Sequence, residues 1–166
     1  MPIIESIQVC APVVPLDKVT SFSNRTVSAR HYGLVKVTST DGVTGIGFCY
    51  VGSAGGPIFS QAVSQLLAPV LVGQDSYAVE GLWQSMYQES LLQGRSGTVM
   101  RALSALDIAL WDLNAKTHQL PCINTLALSP WSRCRPTPAE AITWTAKHPG
   151  TWGKKWPVTL PRDSRQ

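Results

Sequence analysis

The chain has 166 residues, 44% of them apolar, and 14 Lys+Arg against 10 Asp+Glu give a net charge of +4. That apolar fraction lies far from the disordered class, and a unit of this size can bury a core without disulfides or metal. The charge is unevenly placed: residues 1–121 carry seven basic and eight acidic side chains, residues 122–166 seven and two. The first part therefore has no basic face to lay on phosphates, and nucleic acid is not an expected partner. No apolar run approaches the ~20 residues of a membrane span, and the first residues do not read as a secretory leader. Cys10, Cys49, Cys122 and Cys134 are scattered without metal-ligand spacing, which points to a reduced, cytoplasmic protein.

Residues 3–14 mix β-branched residues and alternation, and read as a strand. The polar stretch 17–30, rich in Ser, Thr and Arg, has no helical period and reads as a long loop. Residues 31–39 alternate strongly, Asp41-Gly42 supplies a turn, and residues 43–50 resume the β pattern, so a hairpin is expected. Gly45 and Gly47 alternate with Ile46 and Phe48, which implies a backbone or a packed ring close to one face. A glycine-rich loop over 51–56 precedes Pro57, which opens a helix to about Val72 with a bend or early end at Pro69. Ser76 is a candidate cap for a second helix to about Glu89, with Leu82, Trp83 and Met86 on one face. The third helix is the clearest: Val99, Ala102, Leu103, Leu106, Ala109, Leu110 and Leu113 recur at three- and four-residue spacing, and it ends near His118. The expectation is an α+β unit over 1–121, a three-stranded antiparallel sheet followed by a three-helix bundle. Residues 122–166 hold four of the six tryptophans and half of the 12 prolines without any period, and read as an irregular tail.

The third helix, read from Ala102 to Lys116, closely resembles the signature of the mandelate racemase/muconate lactonizing enzyme family of the enolase superfamily. The resemblance rests on Ala102, Asp107, Ala109, Asp112 and Lys116 as well as the apolar stripe. Residues 67–75 and 41–47 also sit where that family has similar sequences, so it spans residues 3–121.

The resemblance implies an N-terminal capping domain that closes over a TIM barrel, which is absent from this chain. In the family the barrel holds Mg²⁺ through three carboxylates, and a Lys or His base removes the proton beside a substrate carboxylate. The cap supplies two mobile loops that select substrate and exclude water, by position about 20–30 and 50–56 here. Phe22, Arg25, Tyr50 and Ser53 are the residues this places nearest a carboxylate-bearing sugar acid or 2-hydroxy acid. Arg25 reads either as a partner for such an acid or as an ordinary surface arginine, and Tyr50 either as a substrate contact or as rim packing.

Other constellations carry less. The glycines of 52–56 lack a following Lys-Ser/Thr and do not make a phosphate loop. Asp107 and Asp112 are five apart, point to different helix faces and suit structural bonds. His31, His118 and His148 have no nucleophile at motif spacing and read as surface or packing residues.

After Pro121 the family continues with a segment similar to LxKxLGG, whereas this chain reads Cys122-Ile123-Asn124-Thr125-Leu126. A frame shifted by one base permits family-like sequence across the tail, with Trp144, Trp152 and Trp156 forcing Asp, Gly and Ala. The tail is thus expected to be an out-of-frame barrel start. Without a Lys-x-Lys base, metal carboxylates or a His–Asp pair, the chain is expected to be inactive by itself, to bind no metal and to self-associate through an apolar patch on its helices. The competing readings are a stand-alone binding module and one half of a split enzyme completed by a separate barrel.

Overall fold

A computed structural model describes residues 2–126, with the side chains of Phe22 and Arg25 outside the description. The element order is β1 (Ile4–Cys10), β2 (Val13–Phe22), β3 (Arg25–Ser39), β4 (Thr44–Tyr50), α1 (Gly56–Gln61), a π-helical segment (Ala62–Leu67), α2 (Ala68–Leu71), α3 (Val79–Ser90), α4 (Thr98–Thr117) and α5 (Cys122–Leu126). A 3₁₀ turn, Leu91–Gln93, follows α3. The sheet has four antiparallel strands rather than three, and the α+β class stands.

The added strand comes from the stretch expected to be a loop. Residues 3–14 divide between β1 and the start of β2, and 17–30 complete β2 and begin β3, joined by a turn at Ser23 and Asn24. β3 is 15 residues long; its second half lies between β1 and β4, while its first half pairs with β2. Pairing along β1 and β2 follows one register from Ser6↔Thr38 to Pro15↔Ala29, then shifts before Thr20↔Val27. The hairpin formed by β2 and the start of β3 is exposed along most of its length. An alternating pattern records burial of one strand face. This arm buries neither, so its residues are free to be polar and its strands leave no apolar period.

The helical half follows the expected spans more closely. α1, the π segment and α2 run without a break up to Pro69, where the chain needs a local widening. Proline lacks an N–H and its ring collides with the carbonyl four residues back. Here the N–H of Ala68 donates to Val63 O, the five-residue step of a π turn, which opens that crowded position. Ser76 does not cap α3; Ala78 occupies the cap position. Ser76 is instead fully buried, and its hydroxyl donates to Asn114 Oδ1 at 2.7 Å while Asn114 Nδ2 donates to Ser76 O at 2.7 Å.

The core lies between the sheet's inner face and the helices. Val35 and Val37 meet Phe59, Val63 and Leu67 of the first helical run, Met86 of α3, and the α4 stripe from Ala102 through Leu113. α4 lies directly on β4, and the two strand glycines make that possible. A β-carbon at Gly47 would overlap the carbonyl of Ala105, and one at Gly45 the carbonyl of Ala109. The close approach expected at Gly45 and Gly47 is therefore that of the helix backbone. The family-signature alanines Ala102 and Ala109 are both fully buried. α5, within the stretch expected to be irregular, is a short helix that packs on α4. Everything expected of residues 127–166, including the tail's origin and His148, lies outside the described residues.

Candidate functional site

At one end of the sheet the arm and the glycine loop meet, and His31 joins them. Its N–H donates to Gly52 O at 2.8 Å, its carbonyl accepts from Val51 N at 2.9 Å, and its ring Nδ1 accepts from Gly56 N at 3.3 Å. Gly56 opens α1, so the imidazole supplies an acceptor to an N–H that has no partner within the helix. Gly52 has φ +82, a left-handed conformation that turns the chain between strand and helix.

Beside this junction lies an open hollow of about 390 Å³, lined by Leu16 and Thr20 of β2, Val27, Arg30 and Tyr32 of β3, and Tyr50 of β4. The rings of Tyr32 and Tyr50 are 5.8 Å apart at 58° and form its aromatic wall. Arg101 of α4 sets that wall: its Nη1 donates to Tyr50 O, and its guanidinium lies 5.9 Å from the Tyr50 ring centroid. Arg30 is exposed at the mouth and forms no salt bridge among the described residues. The hollow thus combines an apolar floor, two phenol groups, a hydroxyl and a cation, which suits a polyhydroxylated anion.

The four residues expected near substrate fare differently. Tyr50 lines the hollow. Ser53 is exposed on the glycine loop and does not line it. Phe22 and Arg25 face each other as register partners at the tip of the arm, and their side chains lie outside the described residues. Thr20, Arg30, Tyr32 and Arg101 were not singled out from sequence, and His31, read there as a surface or packing residue, holds the junction together. Tyr32 lies within the stretch 31–39 already read as a strand, and Arg30 could have been found by carrying that alternation back past His31; Arg101, 51 residues from Tyr50, carries no local signal.

Two of the polar signature positions of α4, Asp112 and Lys116, hold the strand β4. Asp112 accepts from Ile46 N at 2.8 Å and pairs with Lys116 at 2.7 Å, and Lys116 also donates to Thr44 O at 3.1 Å. Asp107 lies on another face, and its partial burial raises its carboxyl above the ordinary value. Burial likewise pushes the Cys49 thiol up, against the opposing pull of Arg101. His118 stacks on Tyr77 with centroids 5.2 Å apart. Among the described residues no three His, Cys, Asp or Glu side chains gather in a way that could hold a metal ion. The described residues therefore do not supply the three-carboxylate Mg²⁺ site that the resemblance implies for the barrel, and no chemical step through a metal follows from them.

The family model described as mandelate racemase/muconate lactonizing enzyme, N-terminal domain, matches residues 4–126. The chain belongs to this family. The described part is its N-terminal capping domain. A 3,6-anhydro-α-L-galactonate cycloisomerase of Streptomyces coelicolor is 38% identical over 87 residues, which are 52% of this chain and 24% of that protein. A D-mannonate dehydratase of Caulobacter sp. is 34% identical over 101 residues, 61% of this chain and 25% of that protein. Among solved structures, the capping domain superposes on the L-talarate dehydratase of Polaromonas sp., crystallised with Mg and L-glucarate, with TM-score 0.69 and 27% identity over 76% of this chain and 35% of that one. A racemase from Streptomyces coelicolor with bound magnesium gives TM-score 0.66 and 32% identity over 70% of this chain and 33% of that one. The chain therefore spans about a quarter of the length of these curated relatives. No helix among the described residues is long and apolar enough to cross a membrane.

Proposed function

We propose that this capping domain is the substrate lid of an acid-sugar dehydratase or 2-hydroxy-acid racemase, inactive without a barrel. The observation that carries the reading is the joint at His31, which ties the glycine loop to the arm beside a hollow lined by Tyr50 and Arg30. In that role Arg30 pairs with the carboxylate or hydroxyls of a sugar acid, the tyrosines cover its carbon chain, and the two chain segments exclude water from the reacting face. Proton abstraction and enediolate stabilisation need a base and a metal that the described residues do not assemble, so turnover rests on a barrel. Magnesium belongs to that barrel, and a cytoplasmic setting goes with the same reading. The named chemistry of the relatives, dehydration or isomerisation of sugar acids, supports this substrate class.

Grafting tests it. Residues 1–121 are placed on the barrel of the Polaromonas L-talarate dehydratase in place of its own cap, and the isolated chain is assayed in parallel. The isolated chain should turn over no sugar acid with Mg²⁺ present. The graft should dehydrate an aldarate and lose activity by about tenfold or more in Arg30→Ala or Tyr50→Ala. Turnover by the isolated chain, or a folded, active graft indifferent to both substitutions, overturns the reading. Tight binding of a sugar acid by the isolated chain favours a stand-alone binding module instead.

A further inference from the structure

Arg101 closes the first turn of α4, a position that its own helix does not favour. Its backbone N–H donates to Gly97 O at 3.1 Å, the bond that opens the helix. A cation there lies against the positive end of the helix dipole, and Arg101 has no salt-bridge partner among the described residues. What holds the side chain therefore lies off the helix.

That anchor is the end of β4. Gly45 meets the Ala109 carbonyl and Gly47 the Ala105 carbonyl, so helix and strand run in opposite directions, four helical residues to every two of strand. The two steps match, about 6 Å of helix against about 6.7 Å of strand. One step further sets Arg101 beside Cys49, where burial raises the thiol and the Arg101 charge pulls the other way. The next strand residue is Tyr50, whose ring turns to the opposite face of the sheet. At this end the bond back to β3 comes from Val51, whose N–H donates to His31 O, so the Tyr50 carbonyl is left on the open edge. Arg101 Nη1 donates to that carbonyl, and its guanidinium lies 5.9 Å from the Tyr50 ring, itself 5.8 Å from the Tyr32 ring.

We infer that Arg101 is a positioning residue of the hollow: reaching over the strand edge, it fixes the Tyr50 ring, and through it Tyr32, and so sets how tightly the lid holds substrate without touching it. The inference rests on the reading of the hollow as the substrate site. A wall held in place before binding needs no side-chain ordering when the ligand arrives, and affinity rises by the ordering cost avoided. His31 holds Val51 and Gly52 from β3, whereas Arg101 holds Tyr50 from α4, so the wall and the glycine loop have separate anchors.

NMR of the full chain with isotope-labelled tyrosine rings reads the positioning directly. Arg101→Gln should shift and broaden the Tyr50 and Tyr32 signals and leave those of Tyr77 and Tyr87 in place. Arg101→Lys, which keeps a charge and a donor, should fall between. An unmoved Tyr50 signal, or an equal displacement of all four rings as in a general loosening, overturns the proposal. In the barrel graft, Arg101→Gln should raise KM about threefold to tenfold with kcat held within about twofold, and this loss should vanish in a Tyr50→Ala background. Additive losses would show that Arg101 acts on the fold alone and overturn the proposal. So would a graft indifferent to Arg101→Gln but impaired by Tyr50→Ala, whereas indifference to Tyr50→Ala overturns the substrate reading beneath it.

Discussion

The carboxylate of Asp112 accepts the backbone N–H of Ile46 at 2.8 Å, joining residues 66 positions apart. Lys116, one turn later, completes the clamp at Thr44 O. The structural bond expected of Asp112 is a fastening between the helix and the edge of the sheet.

Asp112→Ala should destabilise the domain by about 1 kcal/mol, a charged hydrogen bond discounted for its solvent exposure. Asp112→Asn keeps an acceptor for Ile46 and should lose less. Urea denaturation of the three proteins checks the order, and equal midpoints for Ala and wild type would remove the clamp from the account.

Two glycine-to-alanine changes should have opposite signs. At Gly47 the new methyl group meets the carbonyl of Ala105, part of the helix backbone, so α4 must move off the strand. The expected cost is about 3 kcal/mol. Gly81 lies within α3 with nothing near a β-carbon, and alanine there should stabilise by about 0.5–1 kcal/mol through helix propensity and a less flexible unfolded chain. Thermal melts of both variants decide it.

The Ser76–Asn114 pair is buried and satisfied on both sides, with Asn114 only 3% exposed. Ser76→Ala removes the hydroxyl donor to Asn114 Oδ1 and should cost about 1–3 kcal/mol. A change within error would mean that water or a side-chain rearrangement restores the bond.

Asp107 gives a pH dependence with a definite sign. Burial raises its carboxyl, so the folded chain holds the proton more tightly than the unfolded one. Its contribution favours folding below the unfolded pKa and is lost as pH rises from there through the folded pKa. Asp107→Asn should therefore raise the denaturation midpoint relative to wild type at neutral pH, with the difference closing toward pH ~3. A difference that grows on acidification would contradict the assignment.

The fold was legible wherever burial left a periodic trace. The α4 stripe from Val99 to Leu113, the strands on either side of Asp41-Gly42, and the close approach at Gly45 and Gly47 all follow from one-sided burial against a neighbour. The arm was not legible because its pairing is backbone to backbone, and neither face is buried to impose alternation on residues 17–30. Ser76 misled for a related reason. A serine before a helix is a good cap by local chemistry, but Asn114, 38 residues away, offers it a buried partner.

Family membership and the helical order were determined by sequence alone, through side chains whose spacing is set by a single helix. The site needed the tertiary structure. Tyr50 stands in the hollow because β4 ends there, but Arg30 joins it only through the β3–β4 register, and Arg101 holds it only because glycines in β4 let α4 lie close. Such contacts depend on which surfaces meet, and spacing along the chain carries no record of that.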